Sequence, residues 1–132
     1  MGCLDIGIEV STVAIACIYF ERLCIKSLIT KTNRRLSIAV CLLLAFKFNE
    51  PITGPSFMTR LEELLHFIDR EYQISKIQLF NAEFGALVHL NFSLNVPYMH
   101  VLEMFKRLPK KIHLKKINHL LYICNSYFLN LN

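Results

Sequence analysis

Glycine is scarce in this sequence. Gly2, Gly7, Gly54 and Gly85 are scattered along it, and none opens a glycine-rich loop able to cradle a phosphate. Metal-binding spacing is missing as well. Cys3, Cys17, Cys24, Cys41 and Cys124 contain no C-x-x-C pair, and their odd number does not suit a disulfide framework. His66, His89, His100, His113 and His119 form no H-E-x-x-H arrangement. No catalytic residue, metal or cofactor is expected from such a chain, and an enzyme is disfavoured. Cys17, Cys24 and Cys41 fall inside apolar runs, where a free cysteine acts as a small hydrophobe, so reduced thiols in a cytosolic or nuclear compartment are expected.

Long apolar runs are absent too, although 54% of the residues are hydrophobic and the mean hydropathy is +0.39. The longest near-continuous run, Leu36–Phe46, is bracketed by Arg34-Arg35 and Lys47 and falls short of the roughly 18 residues a membrane-spanning helix needs. No integral membrane span is therefore expected. Asp5 and Glu9 precede the first basic residue, Arg22, which is the reverse of a signal peptide's charged start. Ile6 stands where a myristoylation motif requires Ser or Thr. The chain reads as soluble and intracellular.

The net charge of +5 is unevenly placed. Acidic and basic side chains balance up to Leu102, and the excess comes from Lys106, Arg107, Lys110, Lys111, Lys115 and Lys116, opposed only by Glu103. A phosphate-binding fold usually spreads its cations over the folded body, so no nucleic acid is expected as a partner.

What the sequence does contain is helical periodicity. A first helix is predicted from about Ser11 to Cys24, capped by Ser11 or Thr12, with Val13, Ala14, Cys17, Ile18, Phe20 and Leu23 on its apolar face. A second runs from after Thr32 to about Phe48 and is apolar nearly all round, which is the pattern of a helix surrounded by others. Pro51, Gly54 and Pro55 break the chain. A third helix is predicted over Ser56–Tyr72, with Phe57, Leu61, Leu64, Leu65 and Ile68 inward. Ser75-Lys76-Ile77-Gln78 fits a capping box opening a fourth, with a stripe of Ile77, Phe80, Phe84, Leu87 and Val88, ending near Asn95. A short fifth is predicted over Tyr98–Leu108. The expected class is all-α: one central buried helix wrapped by amphipathic ones. Lys47 then reads first as a cation in a last helical turn, favoured there by the macrodipole.

Two of these segments resemble the cyclin box: Tyr19-Phe20-Glu21-Arg22-Leu23 closing one helix, and Ala39 through Ala45-Phe46-Lys47-Phe48-Asn49-Glu50 closing the next. A third match is Ala82-Glu83-Phe84 through Leu87-Val88 to Asn91-Phe92-Ser93-Leu94. Together with Gly7-Ile8-Glu9, Thr32-Asn33-Arg34-Arg35-Leu36 and Phe105-Lys106-Arg107-Leu108, they are similar to the Cables family of cyclin-box proteins, which link cyclin-dependent kinases to the Abl tyrosine kinase. The likeness covers residues 7 to 108 as a partial cyclin-like domain; residues 109–132 remain as a basic and apolar tail. The resemblance implies a non-catalytic, cell-cycle module of the nucleus and cytoplasm that binds a cyclin-dependent kinase. It implies Lys47 and Glu83 as the kinase-contacting pair, with Phe48 and Glu50 beside them, and Tyr19, Glu21 and Arg22 as the structural motif. An Abl-type kinase is implied only through family regions this sequence does not carry.

The resemblance starts at the family's second box helix. The first is therefore expected to be missing, which leaves Glu21 without its arginine partner and the domain without substrate docking. The rival expectation is a membrane-surface or scaffold helical protein that uses its basic tail.

Overall fold

In the computed structural model the described residues are 10–50 and 56–107. They form five helices and, among those residues, no strand: α1 (Val10–Ile25), α2 (Arg34–Asn49), α3 (Ser56–Tyr72), α4 (Lys76–His89) and α5 (Tyr98–Arg107). The proline-rich break at 51–55, the tail beyond 107 and the expectation about a missing first helix all lie outside the described residues.

The second helix is central, as its all-round apolar sequence predicts. It packs on α1, α3 and α4, and every residue from Ile38 to Phe46 is buried. Its charged ends, Arg34-Arg35 and Lys47, stay in reach of water. α1 is more enclosed than its predicted amphipathic face suggests, being buried without a break from Thr12 to Phe20 between α2 and α5. Ser11 and Thr12 do not cap it. Both sit inside the helix and accept hydrogen bonds from the Asn49 side-chain amide at 3.0 and 2.9 Å. The start of α1 is thus tied to the end of α2, and the buried Thr12 hydroxyl is satisfied.

α3 has the predicted bounds and face. Phe57 stacks on Phe46 of α2 with ring centroids 5.3 Å apart, and Leu64 and Ile68 are fully buried. α4 opens with the predicted capping box: the Ser75 hydroxyl accepts from the Gln78 amide, and the Gln78 side chain accepts from the Ser75 amide.

The face of α4 corrects the sequence reading. Ile77, Phe80, Phe84 and Val88 are exposed, and Leu87 is only partly buried. The inward face is Leu79, Ala82, Ala86 and Leu90. The reason is steric: the alanines let α4 lie close against α2, which the phenylalanines would prevent. α4 also ends earlier than expected. Asn91 and Phe92 take left-handed backbone angles, φ 58° and 55°, and the Phe92 amide donates back to Leu87 in a Schellman-type closure.

Cys17, Cys24 and Cys41 are buried and free. Burial pushes the Cys24 thiol up to about 11 and raises that of Cys41 further.

Candidate functional site

Lys47 lies in the last turn of α2 and Glu83 in the middle of α4, and the packing of these two helices sets them face to face. The Lys47 ammonium donates to both carboxylate oxygens of Glu83, at 2.9 and 3.2 Å. It also sits 5.4 Å from the centre of the Phe80 ring, a cation–π distance. Both partners remain partly open to water, at 38% and 22%.

Around them runs a groove of about 330 Å³, lined by Leu44, Phe48, Phe84, Leu87 and Leu94 as well as the pair itself. Its rim is aromatic: Phe48 is 48% exposed and Phe84 66%. Phe92 continues the rim with its ring edge-on to Phe84, centroids 6.2 Å apart. A charged pair set among exposed rings has the composition of a protein-docking surface, where apolar area supplies affinity and a few charges fix register.

Three of the four residues assigned to kinase contact, Lys47, Phe48 and Glu83, are therefore brought together. Glu50 is not among them. Its side chain is fully buried, and Arg60 of α3 lies 3.3 Å from its carboxylate, with the guanidinium also over Phe46. Glu50 ties α3 to the end of α2 and has no surface to offer. The sequence reading placed Phe80 and Phe84 in the core, and they instead complete the surface. The signal that could have moved them is Ala82 and Ala86 at the same helical spacing two residues on.

Tyr19, Glu21 and Arg22 lie elsewhere and act inside the fold. The buried Tyr19 hydroxyl donates to the Leu94 carbonyl at 2.5 Å, and Arg22 donates to the Ser93 carbonyl at 3.2 Å. One turn on, Lys26 donates to the His89 carbonyl. One face of α1, continued by Lys26 just beyond it, thereby holds the end of α4 and the segment that follows. Burial raises the Tyr19 phenol well above its ordinary range. Glu21 has a cation of this domain beside it, since Arg107 of α5 lies 3.8 Å away. Among the described residues no group of His, Cys, Asp or Glu is placed to hold a metal ion, and no helix is long and apolar enough to cross a membrane.

Comparison with known proteins identifies a family and relatives. The cyclin N-terminal domain family matches residues 3–95. CDK5 and ABL1 enzyme substrate 1 of Homo sapiens is 35% identical over 107 residues, which is 79% of this chain and 16% of that protein. The Mus musculus protein of the same name is also 35% identical, with 18% of its length covered. CDK5 and ABL1 enzyme substrate 2 of Homo sapiens is 29% identical, over 81% of this chain and 22% of its own length. The chain thus spans about a fifth of the length of these curated relatives. No solved structure matches it. With an all-α fold built on a central α2, and with the family match covering most of its length, the chain belongs to the cyclin N-terminal domain family and is a relative of the CDK5 and ABL1 enzyme substrate proteins.

Proposed function

We propose that the chain is a non-catalytic cyclin-like module that captures a cyclin-dependent kinase and takes part in control of the cell cycle and cell division, in the nucleus and cytoplasm. The observation that carries this reading is the Lys47–Glu83 pair set in an exposed aromatic surface. The relatives' names, which make them substrates of CDK5 and ABL1, point to kinases as the partner class. No nucleic acid takes part in this reading.

The mechanism is one of docking. Phe48, Phe80 and Phe84 give apolar area, and covering them expels water from the pair. In the free chain Lys47 and Glu83 satisfy each other. Beneath a kinase, the ammonium serves backbone carbonyls of the docked segment and the carboxylate serves its amides, each bond strengthened by the loss of solvent. Removing one member of a buried interfacial pair costs about 2–5 kcal/mol, largely because the other charge is stranded.

Pull-down of purified cyclin-dependent kinases by the wild-type chain and by Lys47→Ala and Glu83→Ala tests the reading. Both substitutions are expected to weaken capture strongly while leaving the far-ultraviolet dichroism of the chain unchanged. Capture that survives both in full strength would falsify the assignment. Tail-dependent flotation with anionic vesicles, with no kinase captured, would favour the membrane-surface rival instead.

A further inference from the structure

The opposite end of α2 carries a second groove. About 390 Å³ in volume, it lies between the first half of α2, the α1–α2 connection and α4, and its walls include Leu28, Ile29, Leu36, Val40, Ala82 and Ala86. We infer that this groove binds a short acidic peptide of a partner protein, seating two of its apolar side chains while flanking carboxylates meet Lys31, Arg34 and Arg35.

Charge is the first argument for that occupant. Between Glu21 and Glu50 the sequence has no acidic residue, yet it carries Lys26, Lys31, Arg34 and Arg35 beside or among the groove's wall residues. The first turn of α2 holds two arginines and no acid, and Asn33 does not cap it through its side chain. That side chain is used within the connection, donating to the Leu28 carbonyl and accepting from the Thr30 amide. Cations at a helix N-terminus oppose the macrodipole, so this end of α2 is under-compensated until an anion reaches it. Among the described residues no carboxylate pairs with Lys31, Arg34 or Arg35.

Gly85 is the second, independent argument. It lines the groove in the middle of α4, and a Cβ built there meets nothing within 4 Å. A glycine inside a helix weakens it relative to alanine. No neighbour demands the missing side chain here; what the glycine supplies is depth to the groove.

Other occupants fit less well. No Phe, Tyr or Trp ring lines the groove, so bases have only the His89 imidazole to stack on. A membrane surface takes a protruding apolar face, whereas this one is concave. Arg34 and Lys47 are roughly 20 Å apart at the helical rise of 1.5 Å per residue, so the acidic peptide and a kinase occupy separate ends of one helix.

Gly85→Leu fills the groove from within, and Arg34→Glu with Arg35→Glu reverses the charge at its edge. A random-peptide phage library selected on the whole chain is expected to enrich sequences with two apolar residues flanked by Asp or Glu. Binding of the synthesised winners, followed by fluorescence anisotropy, is expected to vanish with Gly85→Leu. It should weaken at least about tenfold with the double charge reversal and with rising salt, as an interface steered by charge requires. Lys47→Ala is expected to leave peptide binding intact, and the charge reversal to leave kinase capture intact, which separates failure here from failure of the kinase reading. Thermal melts of both variants check folding. The inference is overturned by winners that lack carboxylates, by winners that bind Gly85→Leu equally, or by no enrichment. It is also overturned if the property lost in Gly85→Leu is adhesion to phosphatidylserine vesicles or concentration-dependent self-association.

Discussion

Two ion pairs meet at the end of α2, and at the residue scale they have different work. Glu50 is fully buried and Arg60 mostly so, and the pair joins α3 to α2. Lys47 and Glu83 are closer to each other but remain partly in water. Breaking a buried pair strands a charge in a poor solvent, while breaking an exposed one lets both partners hydrate. Urea unfolding should therefore show Arg60→Ala destabilising the fold by about 3 kcal/mol and Lys47→Ala by less than about 1 kcal/mol. The reverse order would make Lys47 a structural residue and remove its claim to a docking role. Sequence reasoning assigned both Lys47 and Glu50 to the surface. Adjacent polar residues at a helix end look alike in one dimension, and only the placement of Arg60 on the next helix separates them.

At the scale of the element, α4 is the instructive helix. Its cap, its start and its helical nature were all readable, because Ser75 and Gln78 interact locally. Its inward face was not, because two apolar stripes run side by side along it: Ile77, Phe80, Phe84 and Val88, and Leu79, Ala82, Ala86 and Leu90. Hydrophobicity favours the first stripe; close approach to α2 selects the second. Leu79→Ala is expected to cost about 2–5 kcal/mol by opening a cavity, and Phe84→Ala to leave the denaturation midpoint nearly unchanged, since its ring is already mostly in water. A midpoint that moves equally for both would put Phe84 back in the core. α3 posed no such choice. Glu62, Glu63, Asp69 and Arg70 mark its wet side unambiguously, and its bounds and face were legible as a result.

The whole molecule has an alkaline limit set by where its weak acids lie. The Cys24 and Cys41 thiols and the Tyr19 phenol all belong to the packed interior of α1 and α2, and burial raises each of them. In the unfolded chain the thiols release protons around pH 9.0, whereas Cys24 in the fold holds its proton to about 11. Stability from these groups is complete below the unfolded value and lost as pH climbs through that window, because deprotonation then favours the unfolded chain. Urea midpoints measured from neutrality upward should hold level to about pH 9 and then fall; a level midpoint to pH 11 would contradict the burial of Cys24.

The grip of α1 and the residue after it on the end of α4 and the segment beyond is long-range, since Tyr19, Arg22 and Lys26 each reach far along the chain. All three take hold of main-chain carbonyls, and every amino acid supplies one. The hold therefore does not depend on which side chains stand at His89 and Ser93, while loss of the Tyr19 hydroxyl is felt at once. The hold should survive exchange of the held side chains and fail with loss of the holding ones.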